Sequence, residues 1–138
     1  MSDCVFCEIV VKASPATILY EWADAMAFVP LGGITETHTL VVPKRHVKDA
    51  LESPFMTGII NQRAAEFANI RGYEQVNIWT SAGTAATQSI FHLHVHLIER
   101  VEGDQLMLPY GTTGNPHDPH WCKVAEELQR KLNAYGEH

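Results

Sequence analysis

A stretch of eight residues in the second half of the chain, 91–98, alternates between apolar side chains and histidine over its first seven positions. A strict period of two is the pattern of a β-strand, so the sequence places His92, His94 and His96 on one face. The other face is predicted to enter a core and carries Phe91, Leu93, Val95 and Leu97. Imidazole rings bind metals, transfer protons and act as nucleophiles, so the histidine face is the first candidate for chemistry.

The length of a strand limits what this histidine row can do. A strand rises roughly 3.3 Å per residue, which puts His92 and His96 about 13 Å apart. Because zinc–nitrogen bonds are only about 2.0–2.1 Å long, neighbouring histidines could share one metal ion but all three could not. We therefore expect the two ends of the row to do different work. The alternatives are three surface histidines on an exposed strand and a purely metal-chelating face.

The composition restricts the class of protein. The chain has 138 residues, of which 46% are hydrophobic and 19% charged, as expected for one globular domain. Its net charge of −6 argues against a broad nucleic-acid-binding surface but allows a small anionic ligand. It has no apolar run of about 18 residues that would span a membrane and no secretory signal pattern. A cytoplasmic location is predicted.

The chain has three cysteines, and this odd number does not indicate a disulfide framework. Cys4 and Cys7 are spaced as half of a zinc site, as a redox pair or as two small buried residues. Cys122 is expected to be a bystander. Together with His117 and His120 it could imitate a metal cluster, but a plain loop over 109–120 and a helix start explain that segment better.

The elements that must position these residues follow from the hydrophobic period. Short strands are predicted near 17–22, 26–29, 39–43 and 76–80, ahead of the histidine stretch. Ser53 and Pro54 have the residue types of a helix start, and Gly72 that of a helix end. The apolar side of that helix is predicted to be Phe55, Ile59, Ile60, Ala64, Phe67 and Ile70.

A last helix is predicted after Asp118 and Pro119, which repeat the start signal. Its apolar stripe is Trp121, Ala125, Leu128, Leu132 and Tyr135. The whole pattern predicts an α+β fold, a mainly antiparallel sheet meander with one long inserted helix and one C-terminal helix.

The stretch 88–98, Gln-Ser-Ile-Phe-His-Leu-His-Val-His-Leu-Ile, resembles the signature of the histidine-triad nucleotide-binding family. Residues 3–10 and 37–47 resemble its N-terminal segment and its central strand. The resemblance implies a single domain over 1–138, with a core at about 3–100 and a C-terminal loop and helix over 101–138. It also implies a homodimer.

The resemblance implies a reaction at phosphorus. His94, the middle histidine, would attack the α-phosphorus of a nucleotide and form a nucleotidyl-histidine intermediate. His96 would bind the α-phosphate, and Ser89 would contact the phosphate or the leaving group. Gln88 would contact the phosphate or order the loop before the strand.

Some bacterial members of this family bind zinc through a Cys-x-x-Cys pair. The resemblance then implies a structural zinc ion whose ligands are Cys4, Cys7, His46 and His92. This assignment also divides the histidine row, because His92 would serve the metal while His94 and His96 serve the phosphate.

The nucleoside site implied by the resemblance is apolar at Phe6, Ile9, Phe28 and Leu31. An acidic or amide residue that holds the ribose hydroxyls would fall at Pro30, where proline cannot replace it. Ser81 stands where an asparagine or glutamine near the phosphate is usual. The alternative is that the apolar set is ordinary core.

The expected function is a phosphoramidase or hydrolase acting on nucleoside phosphoramidates or adenylylated small molecules, with a purine nucleotide substrate. Hydrolysis of dinucleoside polyphosphates is the second expectation. A nucleotide-binding regulatory module with little turnover, and a hydrolase that uses the histidine row as zinc ligands, are the alternatives from other classes.

Overall fold

A computed structural model describes residues 3–106 and 119–136. The chain forms two compact units, Met1–Asp104 and Gln105–His138. The first contains a five-stranded sheet with two α-helices, and the second contains one α-helix. The single domain over 1–138 stays a prediction. Within the described ranges, no helix is both long and apolar enough to cross a bilayer.

The sheet confirms the predicted α+β fold. Its strands are β1 (Ile18–Glu21), β2 (Ala25–Phe28), β3 (Thr39–Pro43), β4 (Val76–Trp79) and β5 (Val95–Glu99). They lie in the order β1-β2-β3-β5-β4, and each neighbouring pair is antiparallel. Only β1 to β3 form a simple meander. Strands β3 and β4 both pair with β5, so they run parallel to each other and need a crossover between them.

That crossover is the long helix. The helices are α1 (Val5–Val10), α2 (Pro54–Arg71) and α3 (Pro119–Gly136). Helix α2 begins as predicted, because the Ser53 hydroxyl accepts a hydrogen bond from the Met56 amide at 3.2 Å. It ends at Gly72, whose φ of +75° is a left-handed conformation that glycine adopts without strain.

The central strands β2, β3 and β5 bury both faces of the sheet in the first unit, whereas β1 is exposed. One face packs against α2 through a cluster that includes Val41, Phe67 and Val95. The other packs against α1 through a second cluster that includes Phe6 and Phe28. The predicted apolar side of α2 is wrong at its two ends, where Phe55 and Ile70 are exposed. Both lie in terminal turns, whereas the buried residues of α2 are Ile60, Ala64, Phe67 and Ala68.

The C-terminal helix α3 is confirmed over Pro119–Gly136. Three residues of its predicted stripe, Leu128, Leu132 and Tyr135, are exposed. The predicted loop over 109–120 lies outside the described residues up to residue 118, and the side chain of Trp121 also lies outside them.

The histidine stretch is only half a strand, which corrects the prediction for 91–98. Strand β5 begins at Val95, where its pairing with β3 stops at the partners Val41 and Val95. Leu93 instead donates its amide hydrogen to the Val47 carbonyl at 2.6 Å. The alternation still holds for the buried side chains Leu93, Val95 and Leu97, whereas Phe91 is 45% exposed and does not enter the core.

Candidate functional site

The four residues Cys4, Cys7, His46 and His92 converge on one point. Each offers one ligand atom, and the four atoms all lie within 4.8 Å of one another. The Nδ1 atoms of His46 and His92 are 3.2 Å apart, and Cys7 Sγ lies 3.2 and 3.4 Å from them. A tetrahedral ion with nitrogen ligands at about 2.0–2.1 Å and sulfur ligands at about 2.3 Å would separate them by about 3.4–3.6 Å. The geometry therefore fits one metal ion.

Two further contacts prepare this group for a cation. The buried His92 ring donates its Nε2 hydrogen to the Pro43 carbonyl at 2.9 Å, which leaves Nδ1 free of a proton. Burial lowers the pKa of His92 to about 4, so the ring is neutral at pH 7. The Cys4 sulfur accepts a hydrogen bond from the Cys7 amide at 3.4 Å, which holds the side chain at the N-terminus of α1. These four residues could hold a metal.

His94 is held with one reactive nitrogen. Its Nδ1 lies 2.7 Å from the carbonyl oxygen of His92, and a carbonyl can only accept, so Nδ1 carries the proton. Nε2 is then the unprotonated atom with a lone pair. Burial lowers the pKa of His94, which keeps the ring neutral at pH 7. The Thr80 hydroxyl donates to the His94 carbonyl at 2.7 Å and fixes the backbone at this residue.

His96 has a fixed tautomer of the opposite kind, set by His38. The Ile34 amide donates to His38 Nδ1 at 3.0 Å, so the neutral His38 ring carries its hydrogen on Nε2. That Nε2 lies 2.9 Å from His96 Nδ1 and donates to it. His96 therefore carries its own hydrogen on Nε2, where it can donate to an anion. His94 and His96 lie beside each other, with ring centroids 5.1 Å apart.

The sequence interpretation missed His38. It directly precedes β3, in which Leu40 is the cross-strand partner of His96. Because alternate residues of a strand share a face, His38 lies on the His96 side of the sheet. The sequence does place His38 two residues before Leu40. This spacing identifies His38 as a neighbour of His96 only once the pairing of β3 with β5 is known.

Lowering the pH should destabilise the fold through His96. Burial, with the neighbouring His94 and His38, lowers the pKa of His96 from 6.5 to about 4. Between these values the unfolded chain binds a proton that the folded chain excludes, so this stabilisation is complete above pH 6.5 and is lost as the pH falls. We expect the free energy of unfolding of His96→Gln to fall by about 2 kcal/mol less than that of the wild type between pH 7 and pH 4.5. The difference is kept at this size because the ring is only partly buried. Urea denaturation at both pH values measures this difference, and equal losses in the two proteins would contradict it.

The predicted apolar nucleoside residues are brought together. Phe6, Ile9, Phe28 and Leu31 line one cavity of about 560 Å³, which Pro30 also lines. The Phe6 ring lies between this cavity and the histidines, with its centroid 5.4 Å from Phe28 and 5.2 Å from His94. Phe6 thus lines the cavity and also contacts the nucleophile candidate His94, which does not itself line it.

The polar residues of the prediction are more scattered. Ser89 is exposed and lines a second cavity of about 600 Å³ together with Cys4, Cys7 and His46. Gln88 is buried, and its amide group donates to the carbonyls of Lys48 and Ile90 and accepts from the Gly83 amide. Ser81 lies in the loop after β4 and lines neither cavity. None of Ser81, Gln88 and Ser89 therefore lines the nucleoside cavity.

A model of the HIT domain matches residues 11–103 of the chain, which include β1 to β5, the metal-ligand candidates His46 and His92, and the phosphate-site candidates His94 and His96. The chain belongs to the HIT domain family. A HIT-like protein of Methanocaldococcus jannaschii is 33% identical over 118 residues, which cover 81% of this chain and 90% of that protein.

Two relatives with named activities also align with this HIT protein. An adenosine 5′-monophosphoramidase of Schizosaccharomyces pombe is 29% identical, over 94% of this chain and 98% of that protein. An adenylylsulfatase of Arabidopsis thaliana is 32% identical, over 76% of this chain and 56% of that protein.

Solved structures share the fold of this HIT protein. A protein from Streptococcus mutans superimposes with a TM-score of 0.80 and 31% identity, over 96% of this chain and 87% of that chain. A zinc-bound histidine triad family protein from Mycobacterium smegmatis has a TM-score of 0.66 and 29% identity, over 96% and 97% of the two chains.

Proposed function

We propose that this HIT protein hydrolyses nucleoside 5′-phosphoramidates or adenylylated small molecules at the α-phosphorus. The observation that carries the proposal is the pair of opposite tautomers. His94 has its lone pair on Nε2, and His96 has its hydrogen on Nε2, with ring centroids 5.1 Å apart. A nucleophile and a hydrogen-bond donor side by side are what attack on a phosphate ester or amide requires.

The reaction has two steps. In the first, the lone pair of His94 Nε2 forms a bond to the α-phosphorus, and the bond from phosphorus to the leaving nitrogen or oxygen breaks. The leaving group departs with that electron pair and takes up a proton from solvent. In the second, water attacks the same phosphorus and loses a proton to solvent, and the bond to His94 breaks with its electron pair returning to Nε2, which releases the nucleoside monophosphate.

His96 and Ser89 support these steps. The Nε2 hydrogen of His96 donates to a non-bridging oxygen of the α-phosphate, where negative charge develops. Ser89 contacts the phosphate or the leaving group from the exposed side. We assign Gln88 to loop ordering, because its hydrogen bonds run to the backbone of Lys48, Ile90 and Gly83.

The substrate is proposed to be a purine nucleotide. Phe6, Ile9 and Phe28 offer aromatic and aliphatic surface to a base, in a cavity that adjoins His94 through Phe6. The relatives named for activity on adenosine 5′-phosphoramidate and on adenylyl sulfate support an adenylyl group. The phosphorus–nitrogen bond of the phosphoramidate and the phosphorus–oxygen bond of adenylyl sulfate are both bonds to an α-phosphorus.

The metal of the four-residue group is proposed to be a structural zinc ion. Two thiolates and two imidazoles form a complete tetrahedral set, and a complete set leaves no coordination position for a substrate. The zinc-bound relative from Mycobacterium smegmatis supports this identity. Zinc would stabilise the junction of α1 with the residues before β5.

The function is tested by incubating the purified protein with adenosine 5′-phosphoramidate, an aminoacyl adenylate and diadenosine polyphosphates, and measuring AMP. We expect the phosphoramidate and the adenylate to be hydrolysed fastest. Faster release from the dinucleotides would favour the polyphosphate hydrolase. Tight AMP binding without release from any of them would favour a binding module. Activity that disappears on chelation while the protein stays folded, and that returns with metal, would favour a zinc hydrolase.

The homodimer that the resemblance implies and the cytoplasmic location both stay predictions. The chain is expected to form a homodimer, which light scattering on the purified protein would measure. It is expected in the cytoplasm, which fractionation of cells would check.

A further inference from the structure

A tryptophan that the proposed reaction does not use lies flat against two of the site's histidines. The indole of Trp79 stacks on His96, with ring centroids 4.7 Å apart and an interplanar angle of 11°. It also stacks on His38, at 6.1 Å and 22°. The two imidazoles are joined edge to edge by their 2.9 Å hydrogen bond. The Trp79 indole therefore stacks on both imidazoles of the hydrogen-bonded His38–His96 pair.

The sheet fixes this arrangement. Trp79 is the last residue of β4 and the direct cross-strand partner of His96 in β5. His96 in turn pairs with Leu40, and Leu40 with Phe28. These four side chains form one row across four strands, with the nucleoside cavity at the Phe28 and Leu40 end and Trp79 at the other. Directly opposed side chains in antiparallel strands are about 5 Å apart, so the register alone holds the indole against His96.

We propose that Trp79 is a positioning residue for the phosphate-binding histidine, and that it acts as a platform for the His38–His96 pair. This inference deepens the proposed function and rests on it for the role of His96. The stack prevents rotation of the His96 ring, so its Nε2 hydrogen stays aimed at the substrate side. Loss of the platform loosens both rings of the His38–His96 pair, so the hydrogen bond that sets the His96 tautomer breaks more often and the His96 ring can turn over.

The π-face has a second effect during the reaction. When His96 donates to a phosphate whose charge is increasing, its ring becomes more positive. An aromatic face at about 4.7 Å stabilises that positive charge, and it does so more strongly when the pair is shielded from water. The platform therefore contributes more in the transition state than in the ground state, which is the condition for raising kcat rather than lowering KM.

The test compares Trp79→Leu, which removes the rings, with Trp79→Phe, which keeps a smaller aromatic face. With adenosine 5′-phosphoramidate we expect Trp79→Leu to lower kcat by about 3- to 30-fold, with KM changed by less than about twofold. Trp79→Phe should recover most of that loss. The matched control is Trp22→Leu, since Trp22 is another half-buried tryptophan and its ring contacts Tyr20, at an interplanar angle of 59°, rather than a histidine.

A second measurement needs no substrate. Long-range proton–nitrogen NMR correlations of the His96 ring report which nitrogen carries the hydrogen. We expect a single Nε2-protonated form in the wild type, in Trp79→Phe and in Trp22→Leu, and averaged signals in Trp79→Leu. If Trp79→Leu does not fold in a melting experiment, Trp79→Met replaces it as the ring-free variant.

The outcomes separate this inference from the proposed function. An unchanged His96 tautomer together with an unchanged kcat in the ring-free variant would overturn the platform. A kcat loss that Trp22→Leu reproduces would also overturn it, because a general loss of stability would then explain the effect. Absence of turnover in every protein would count against the proposed function, while the NMR comparison would still decide whether Trp79 orders His96.

Discussion

Replacement of His94 by alanine is expected to lower kcat by roughly 10⁴-fold or more, because it removes the atom that bonds to phosphorus. Binding should survive, since the nucleoside cavity is lined by Phe6, Ile9, Phe28 and other residues that the substitution leaves in place. Steady-state AMP release gives kcat, and calorimetric titration with AMP gives the binding constant. We expect the AMP binding constant to change by less than about tenfold.

Two controls make this result specific to a nucleophile. Added imidazole should restore part of the turnover of His94→Gly, because a free imidazole can take the vacated position and attack the same phosphorus. In the wild type, rapid denaturation during turnover should trap a protein heavier by one nucleotidyl group, which His94→Ala should not form. Substantial turnover by His94→Ala, or a trapped adduct on another residue, would contradict the assignment.

Replacement of Cys7 by serine is expected to remove the metal and destabilise the fold. A site filled at a thousand times its dissociation constant contributes about 4 kcal/mol to stability, which corresponds to roughly 10–20 °C in Tm for a unit of this size. His92→Ala should cost at least as much, because it also leaves a cavity where a buried ring stood. Elemental analysis of protein purified without a histidine tag and thermal melts with and without chelator measure both effects.

The matched control is Cys122→Ser, which exchanges the one cysteine outside the Cys-x-x-Cys pair. It should leave the metal content and the Tm unchanged. The wild type should carry one zinc per chain, and chelation should lower its Tm towards that of Cys7→Ser. A wild-type protein that contains no metal, or whose Tm does not respond to chelator, would contradict a structural zinc site.

Elements with local signals could be predicted from the sequence. Thr39–Pro43 is β-branched and ends in proline, and it forms β3 with those bounds. Ser53, Pro54 and Gly72 delimit α2, as their cap chemistry indicates. Each of these signals acts over a few residues, so no tertiary knowledge was needed.

The features that sequence reasoning missed depend on register between distant strands. The insertion of β5 between β3 and β4 brings Trp79 and His38 to His96, yet neither residue is near 96 in the chain. Phe91 was assigned to the core from its period, but β3 ends before it could pair there. Only the pairing of the strands, which the periodicity of one strand does not contain, could have corrected these assignments.

The candidate site was predictable where a resemblance supplied long-range information. Cys4 and Cys7 lie about 40 residues from His46 and about 90 from His92, and no local pattern links them. Their convergence into one metal-sized group agrees with the ligand set that the resemblance implied. The nucleophile, phosphate and leaving-group roles of His94, His96 and Ser89 stay predictions.

The side chain and the backbone of His92 have separate roles. The ring of His92 belongs to the metal-binding group, whereas its carbonyl oxygen receives the hydrogen from His94. A carbonyl is common to all residues, so the second task places no demand on the identity of residue 92. A descendant of this chain could therefore lose its cysteines and this imidazole together and still present a correctly protonated nucleophile. Position 94, by contrast, requires histidine, because its own side chain is the proposed nucleophile.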